Sequence, residues 1–197
     1  MAAKMYNSIN QNNMLRLRTD EANERQPQLA RVSKTKVRVY INHREEERES
    51  TEGEETVKRT VYIADFIELE SASDDALEVA KQAVSEAILA YDSSSSVNEF
   101  TLQGVPMWLD KATRAGLKLR LEAERDQGIK TTTLWWNGIG YSLDVEAALV
   151  MLSQLELYAS MSYDKTQHHL AVVKMLEDVD SVISYDFTDG YPTKLSF

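Results

Sequence analysis

Two alternating runs separated by a block of charge constrain this chain most. Lys36-Val37-Arg38-Val39-Tyr40-Ile41 alternates polar and apolar positions, and Thr56 to Leu69 does the same through Val57, Val61, Ile63 and Ile67. A period of two is the mark of a half-buried strand. Between the runs lies Arg44-Glu45-Glu46-Glu47-Arg48-Glu49-Ser50-Thr51-Glu52-Gly53-Glu54-Glu55. Charge this dense cannot enter a core, so the stretch reads as the solvated tip of a long hairpin. Crowded carboxylates can also hold a hard cation, but the Asp/Asn/Gly spacing of a calcium loop is missing.

The segment before the hairpin is of another kind. Residues Met1 to Ser33 are rich in Asn, Gln and Arg, and Met14, Leu15 and Leu17 are their only apolar cluster. So little apolar surface does not offset the entropy of ordering a chain, so 1–33 is expected to be an extended basic arm that orders on a partner. Its charge supports that expectation. Met1 to Asn42 carries eight Lys/Arg against three Asp/Glu (+5), while His43 to Asn98 carries five against fifteen (−10). A basic arm before an acidic body suits pairing between molecules, including copies of the chain itself, and equally suits a solvated tail beside an acidic loop.

Asp74 to Tyr91 has helical periodicity, with Leu77, Ala80, Val84, Ala87 and Leu89 as its stripe and Ser73 or Asp74 as its cap. The serines of Asp92-Ser93-Ser94-Ser95-Ser96-Val97 read as a linker. Beyond them, Gln103-Gly104 suits a tight hairpin, and Asp110 caps a helix from Lys111 to Gln127 that Gly128 stops. Asn137-Gly138 marks a second hairpin, and Asp144 caps a helix with Ala148, Leu152, Leu155 and Ala159 on one face. A last helix is expected over about Lys165 to Ser184. The fold class is α+β: an arm (1–33), a β-hairpin with an acidic tip plus a helix (34–92), a linker (93–98), and a small ββ-α-ββ-αα domain (99–197).

Chemistry is hard to place on these residues. No cysteine is present, which removes thiolate metal sites and thiol nucleophiles. A net charge of −10 disfavours nucleic acid, and neither a signal-peptide core nor an apolar run of membrane length appears. Phosphate-loop, HExxH and nucleophile-elbow patterns are missing. His43 sits beside the acidic tip and is expected to be exposed. His168 and His169 are helix neighbours whose side chains diverge, and Asp164 with His168 makes an i, i+4 ion pair sooner than a metal site. Asp178, Asp180, Asp186 and Asp189 suit capping and solvation better than paired acid/base work. No catalytic residue, metal ligand or cofactor is assigned, and the expectation is a non-enzymatic protein.

The aromatics say more. Trp135 and Trp136 are strand neighbours, so they face opposite sides of a sheet, and one needs cover from elsewhere. That cover is either a helix of the same domain or another protein.

Val97-Asn98-Glu99-Phe100-Thr101-Leu102-Gln103-Gly104, Met107-Trp108-Leu109-Asp110-Lys111-Ala112-Thr113-Arg114 and Thr131-Thr132-Thr133-Leu134-Trp135 form a pattern with Leu155-Glu156-Leu157-Tyr158-Ala159, Tyr163, Thr166 and His169, ending in Tyr185 to Phe197. It resembles a C-terminal domain of tail-region proteins from bacteriophages and prophages, particularly those of Bacteroides-type hosts. That domain has no settled activity, and the match leaves Met1 to Ala90 uncovered. The resemblance implies a structural or adaptor protein of the phage tail, collar or fibre-attachment region, located in the virion after assembly in the bacterial cytoplasm. The alternative is a tail-fibre assembly chaperone absent from the mature virion; a cell-wall glycan hydrolase lacks an acid/base pair. Expected partners are other phage structural proteins and copies of itself, with neither nucleic acid nor membrane. The contacts are expected at Met14, Leu15, Arg16, Leu17 and Arg18 of the arm and at Trp136, because the resembling family keeps an aromatic more regularly at the Trp135 position. Tyr185 to Phe197 reads as a strap pinning the C-terminus to its domain.

Overall fold

The computed structural model describes residues 18–52 and 55–197, with helices and antiparallel sheets in an α+β fold. The chain divides into two compact units. Among the described residues, one is built from 18–90 with 168–189, the other from 91–167 with 190–197. The segment 168–189, read from the sequence as part of the C-terminal domain, thus belongs with the N-terminal hairpin.

In the first unit the long hairpin is the frame. β1 (Arg18–Ala22), β2 (Leu29–Arg31), β3 (Lys36–Glu52) and β4 (Glu55–Glu70) form one sheet in the order β1-β4-β3-β2. β3 and β4 pair from Lys36↔Glu70 to Glu52↔Glu55, with one register shift between Ile41 and Arg44. Asn42 takes φ 53° there, a left-handed conformation that Asn tolerates better than most residues. Asp65 gathers the bulge. It accepts from the Thr19 hydroxyl at 2.9 Å and the Asn42 amide at 3.2 Å, and pairs with Arg44 at 3.6 Å.

The described part of the supposed free arm, from Arg18 onward, is therefore corrected. β1 and β2 line both edges of the hairpin base, where open strand edges offer unpaired N–H and C=O groups. Backbone pairing needs no apolar side chain, so composition could not reveal it. Gln26 finishes the edge, its amide donating to the Asp20 and Tyr62 carbonyls at 3.1 and 3.0 Å.

Val37, Val39, Ile41, Ile63, Ile67 and Leu69 are buried. By register they share one sheet face. α1 (Ala76–Asp92) buries Val79, Ala80, Ala83, Val84, Ala87 and Ile88. Asp75 caps it, accepting from the Leu77 and Glu78 amides at 2.9 and 3.3 Å, in place of Ser73 or Asp74. On the opposite sheet face Tyr40, Ala64 and Phe66 cluster with Ala30, and the Arg38 guanidinium lies 4.6 Å from the Phe66 ring centre.

The second unit begins where a linker was expected. Ser94 caps a short helix, α2 (Ser95–Asn98), by accepting from the Ser96 amide, so the serine run is ordered. β5 (Phe100–Leu102) and β6 (Val105–Met107) turn at Gln103-Gly104, with φ 50° and 80°. α3 (Lys111–Asp126) is capped by Asp110 through the Thr113 amide at 2.7 Å, and Gly128 follows at φ 73°. β7 (Thr131–Trp136) and β8 (Ile139–Asp144) turn at Asn137-Gly138. α4 (Val145–Met175) then runs without a break, followed by α5 (Val179–Ile183). The two final helices read from the sequence are thus one long helix and one short turn, because no Gly or Pro interrupts 160–165.

Phe100, Leu102, Met107, Leu109, Leu121, Leu134, Tyr141, Val145, Leu152 and Leu155 are central to this unit's core. The C-terminal residues close it as a strand beside β5. The Thr101 amide donates to the Leu195 carbonyl at 3.0 Å, the Phe197 amide to Thr101 and the Gln103 amide to Phe197, both at 2.8 Å. The Phe197 ring meets Phe100 edge-on at 6.1 Å. Deleting Leu195 to Phe197 is expected to cost about 2–4 kcal/mol, from lost packing and unpaired β5 groups. Denaturant unfolding measures it, and an unchanged midpoint would show that the strap adds nothing.

Candidate interaction surfaces

The hairpin outgrows its sheet. β1 reaches only Tyr62 on β4, and β2 reaches only Val39 on β3. From Glu46↔Val61 to Glu52↔Glu55 the two strands continue alone, with neither β1 nor β2 pairing alongside them. Side chains 44–49 and 58–60 are exposed on both faces. Within this ribbon Arg48 pairs with Glu21 at 3.0 Å and Glu46 at 3.2 Å, and Lys58 pairs with Glu49 at 3.6 Å. Arg48 beside it holds the exposed Glu21 carboxyl below its usual range, first through their hydrogen bond and then through charge. Such exposed pairs contribute little, and Arg48 stands directly opposite Arg59 in the register. A two-stranded ribbon without an apolar face is marginal by itself.

His43, expected exposed, is half-buried at the base of the ribbon. Burial first, and the nearby Arg25 charge second, push its pKa down. With Arg25, Gln26, Arg44, Glu45 and Tyr62 it lines a small cavity of about 90 Å³.

The tryptophan pair resolves clearly. Thr132 and Leu134 are buried, so Trp136 shares their side of β7 and packs, partly buried, against the core. Trp135 is the outward ring, 68% exposed. The assignment of Trp136 as the outward contact is therefore corrected. Leu134 carried the missed signal, because parity with a core leucine fixes the face of the residue two places on. Gly140 stands opposite Trp135 in the register. A side-chain carbon on Gly140 would come within 3.3–3.4 Å of the Trp135 ring and 3.0 Å of Thr133 Cγ2. The glycine thus lets the indole lie down across the hairpin.

Of the arm residues, Met14, Leu15, Arg16 and Leu17 lie outside the described residues. Arg18 opens β1, exposed and in register with Phe66.

Polar groups near the C-terminus are structural. His169 is 2% exposed. Its Nε2 lies 3.0 Å from the Asp189 carbonyl, which only accepts, so that nitrogen carries the proton. In the neutral ring Nδ1 then accepts from the Tyr185 hydroxyl at 2.6 Å. Asp178 caps α5 through the Ser181 amide at 2.7 Å, which with the Ser181 hydroxyl lowers its pKa. The Thr188 hydroxyl and amide do the same for Asp186. Among the described residues, no group of three His, Asp or Glu is placed to hold a metal ion, and no helix is long and apolar enough to cross a membrane.

No protein-family model matches the chain, and neither a curated protein nor a solved structure matches it.

Two expectations follow. Trp136→Ala should cost about 2–4 kcal/mol by loss of core packing. Trp135→Ala should cost less than about 1 kcal/mol. Thermal melting of the two variants tests this, and equal losses would place both rings in the core. The second concerns acid. Asp178 and Asp186 have lowered folded-state pKa values, so their stabilisation is complete above the ordinary carboxylate range and is lost as pH falls through it. The Asp178→Asn/Asp186→Asn double variant should therefore lose less stability than the parent between about pH 5 and pH 3. Parallel acid limbs would show that neither carboxylate matters.

Proposed function

We propose that this chain is a non-enzymatic structural or adaptor protein of a bacteriophage particle, in its tail, collar or fibre-attachment region, acting by packing against other proteins. The ribbon of β3 and β4 beyond Tyr62 carries the reading. It extends past β1 and β2 with its described side chains from 44 to 49 and 58 to 60 exposed, and a ribbon of this kind gains most of its order from a partner. Residues 45–55 hold seven Glu against one Arg, so the partner surface it suits is basic. Exposed Trp135 adds a second contact of the type that interfaces favour, with large area and little entropy to lose. The resemblance of 91–197 to a phage tail-region domain supplies the setting.

Mass spectrometry of purified particles tests the reading. A structural component is expected at fixed copy number relative to the major tail protein. Presence in the infected cell with absence from particles would favour a tail-fibre assembly chaperone instead.

A further inference from the structure

The bulge that turns the long hairpin from core to ribbon also holds an ionisable ring. Ile41 pairs with Asp65 and Arg44 with Ile63, so Asn42 and His43 stand together opposite Ala64. His43 is half-buried there, and its Nε2 is buried with no hydrogen-bond partner among the described residues. A neutral ring bears that at modest cost. A charged ring held out of water needs a counter-charge or an acceptor.

The surroundings offer cations instead. The cavity beside the ring is lined by Arg25 from the connection between β1 and β2, by Arg44 and Glu45 of β3, and by Tyr62 of β4, with Gln26 as a neutral wall. The Tyr40 backbone favours a proton on the ring, but burial and then the Arg25 charge outweigh it. Glu45 is the one carboxylate on the cavity, and it is exposed to water, where its pull is screened. Gln26 Oε1 is also buried and unpartnered, so it is not bonded to the ring.

The groups that a charge here would disturb are those that fasten the ribbon to its sheet. Arg44, next to His43, pairs with Asp65 at 3.6 Å, and Asp65 also holds Thr19 and Asn42. Gln26 ties the Asp20 carbonyl of β1 to the Tyr62 carbonyl of β4 through its amide. Both fasteners share the cavity with His43.

We infer that His43 makes the base of the ribbon an acid-sensitive joint: a proton on its ring sets a third positive charge beside Arg25 and Arg44 and loosens the bulge. The folded ring takes its proton less readily than a free imidazole does. The stabilisation from the neutral ring is therefore complete above the ordinary imidazole range and is lost as pH falls below it, before the carboxylates titrate. The joint is a property of the isolated chain; its use to make ribbon contacts pH-dependent rests on the packing role proposed above.

Hydrogen exchange and ring titration in the isolated full chain test it. Between about pH 7.5 and pH 5.5 the amides of Arg44, Glu45, Tyr62 and Ile63 should lose about fivefold in protection, corrected for intrinsic rates. His43→Gln should lose less than about twofold over the same range, and Arg25→Gln should fall between the two. By NMR the His43 ring of the parent should titrate below the ring of His168, which is exposed on α4. That titration decides alone if His43→Gln does not fold. Parallel profiles in parent and His43→Gln overturn the joint. So does a His43 ring titrating at or above His168, as it would if a protonated Nε2–H reached Gln26 Oε1. Acid loosening in a chain that is absent from particles would sustain the joint and overturn the packing role; a chain at fixed copy number whose His43 titrates with His168 would do the reverse.

Discussion

The bulge between Ile41 and Arg44 is the constraint on which the first unit depends. Side chains alternate along a strand, so a shift of one position exchanges the faces of everything beyond it. Below the bulge, β3 and β4 share a buried apolar face and carry β2 on one edge, while β1 runs along the other edge across the bulge as far as Tyr62. Above it, the same two strands carry charge on both faces. Asp65 holds the changeover by engaging Thr19, Asn42 and Arg44 together. One hairpin thereby serves as core at its base and as surface at its end.

The second unit solves a different problem. Its two hairpins are short, and each is too small to stand alone. α3, α4 and the C-terminal residues cover them, and the backbone of 195–197 gives β5 a further neighbour. That closure leaves several large apolar side chains outside, among them Trp135 over Gly140, Leu119 of α3, and Val150, Leu157 and Met161 of α4. Exposed apolar side chains of this size are the sort of surface a protein presents to another protein.

Local rules made much of this legible. Gln103-Gly104, Asn137-Gly138, Asp110, Gly128 and Asp144 each act where their backbone chemistry suggests, since turns and caps depend on a few adjacent residues. What stayed hidden depends on partners distant in sequence. β1 and β2 were hidden because strand edges recruit backbone without regard to hydrophobicity. The uninterrupted α4 was hidden because a polar stretch at 160–165 imitates a loop, although Thr166 is buried and its hydroxyl meets Asp92 at 2.7 Å and Tyr191 at 2.8 Å. The outward tryptophan was open to inference from Leu134.

Hydrogen exchange along the long hairpin tests most directly whether its outer half awaits a partner. In the isolated chain, amides of Val37 to Ile41 and Ile63 to Leu69 should exchange slowly, and those of Glu45 to Glu49 and Lys58 to Val61 much faster. In assembled particles the outer amides should become protected as well. Outer amides as slow as the base in the isolated chain, or unchanged on assembly, would contradict a partner-dependent ribbon.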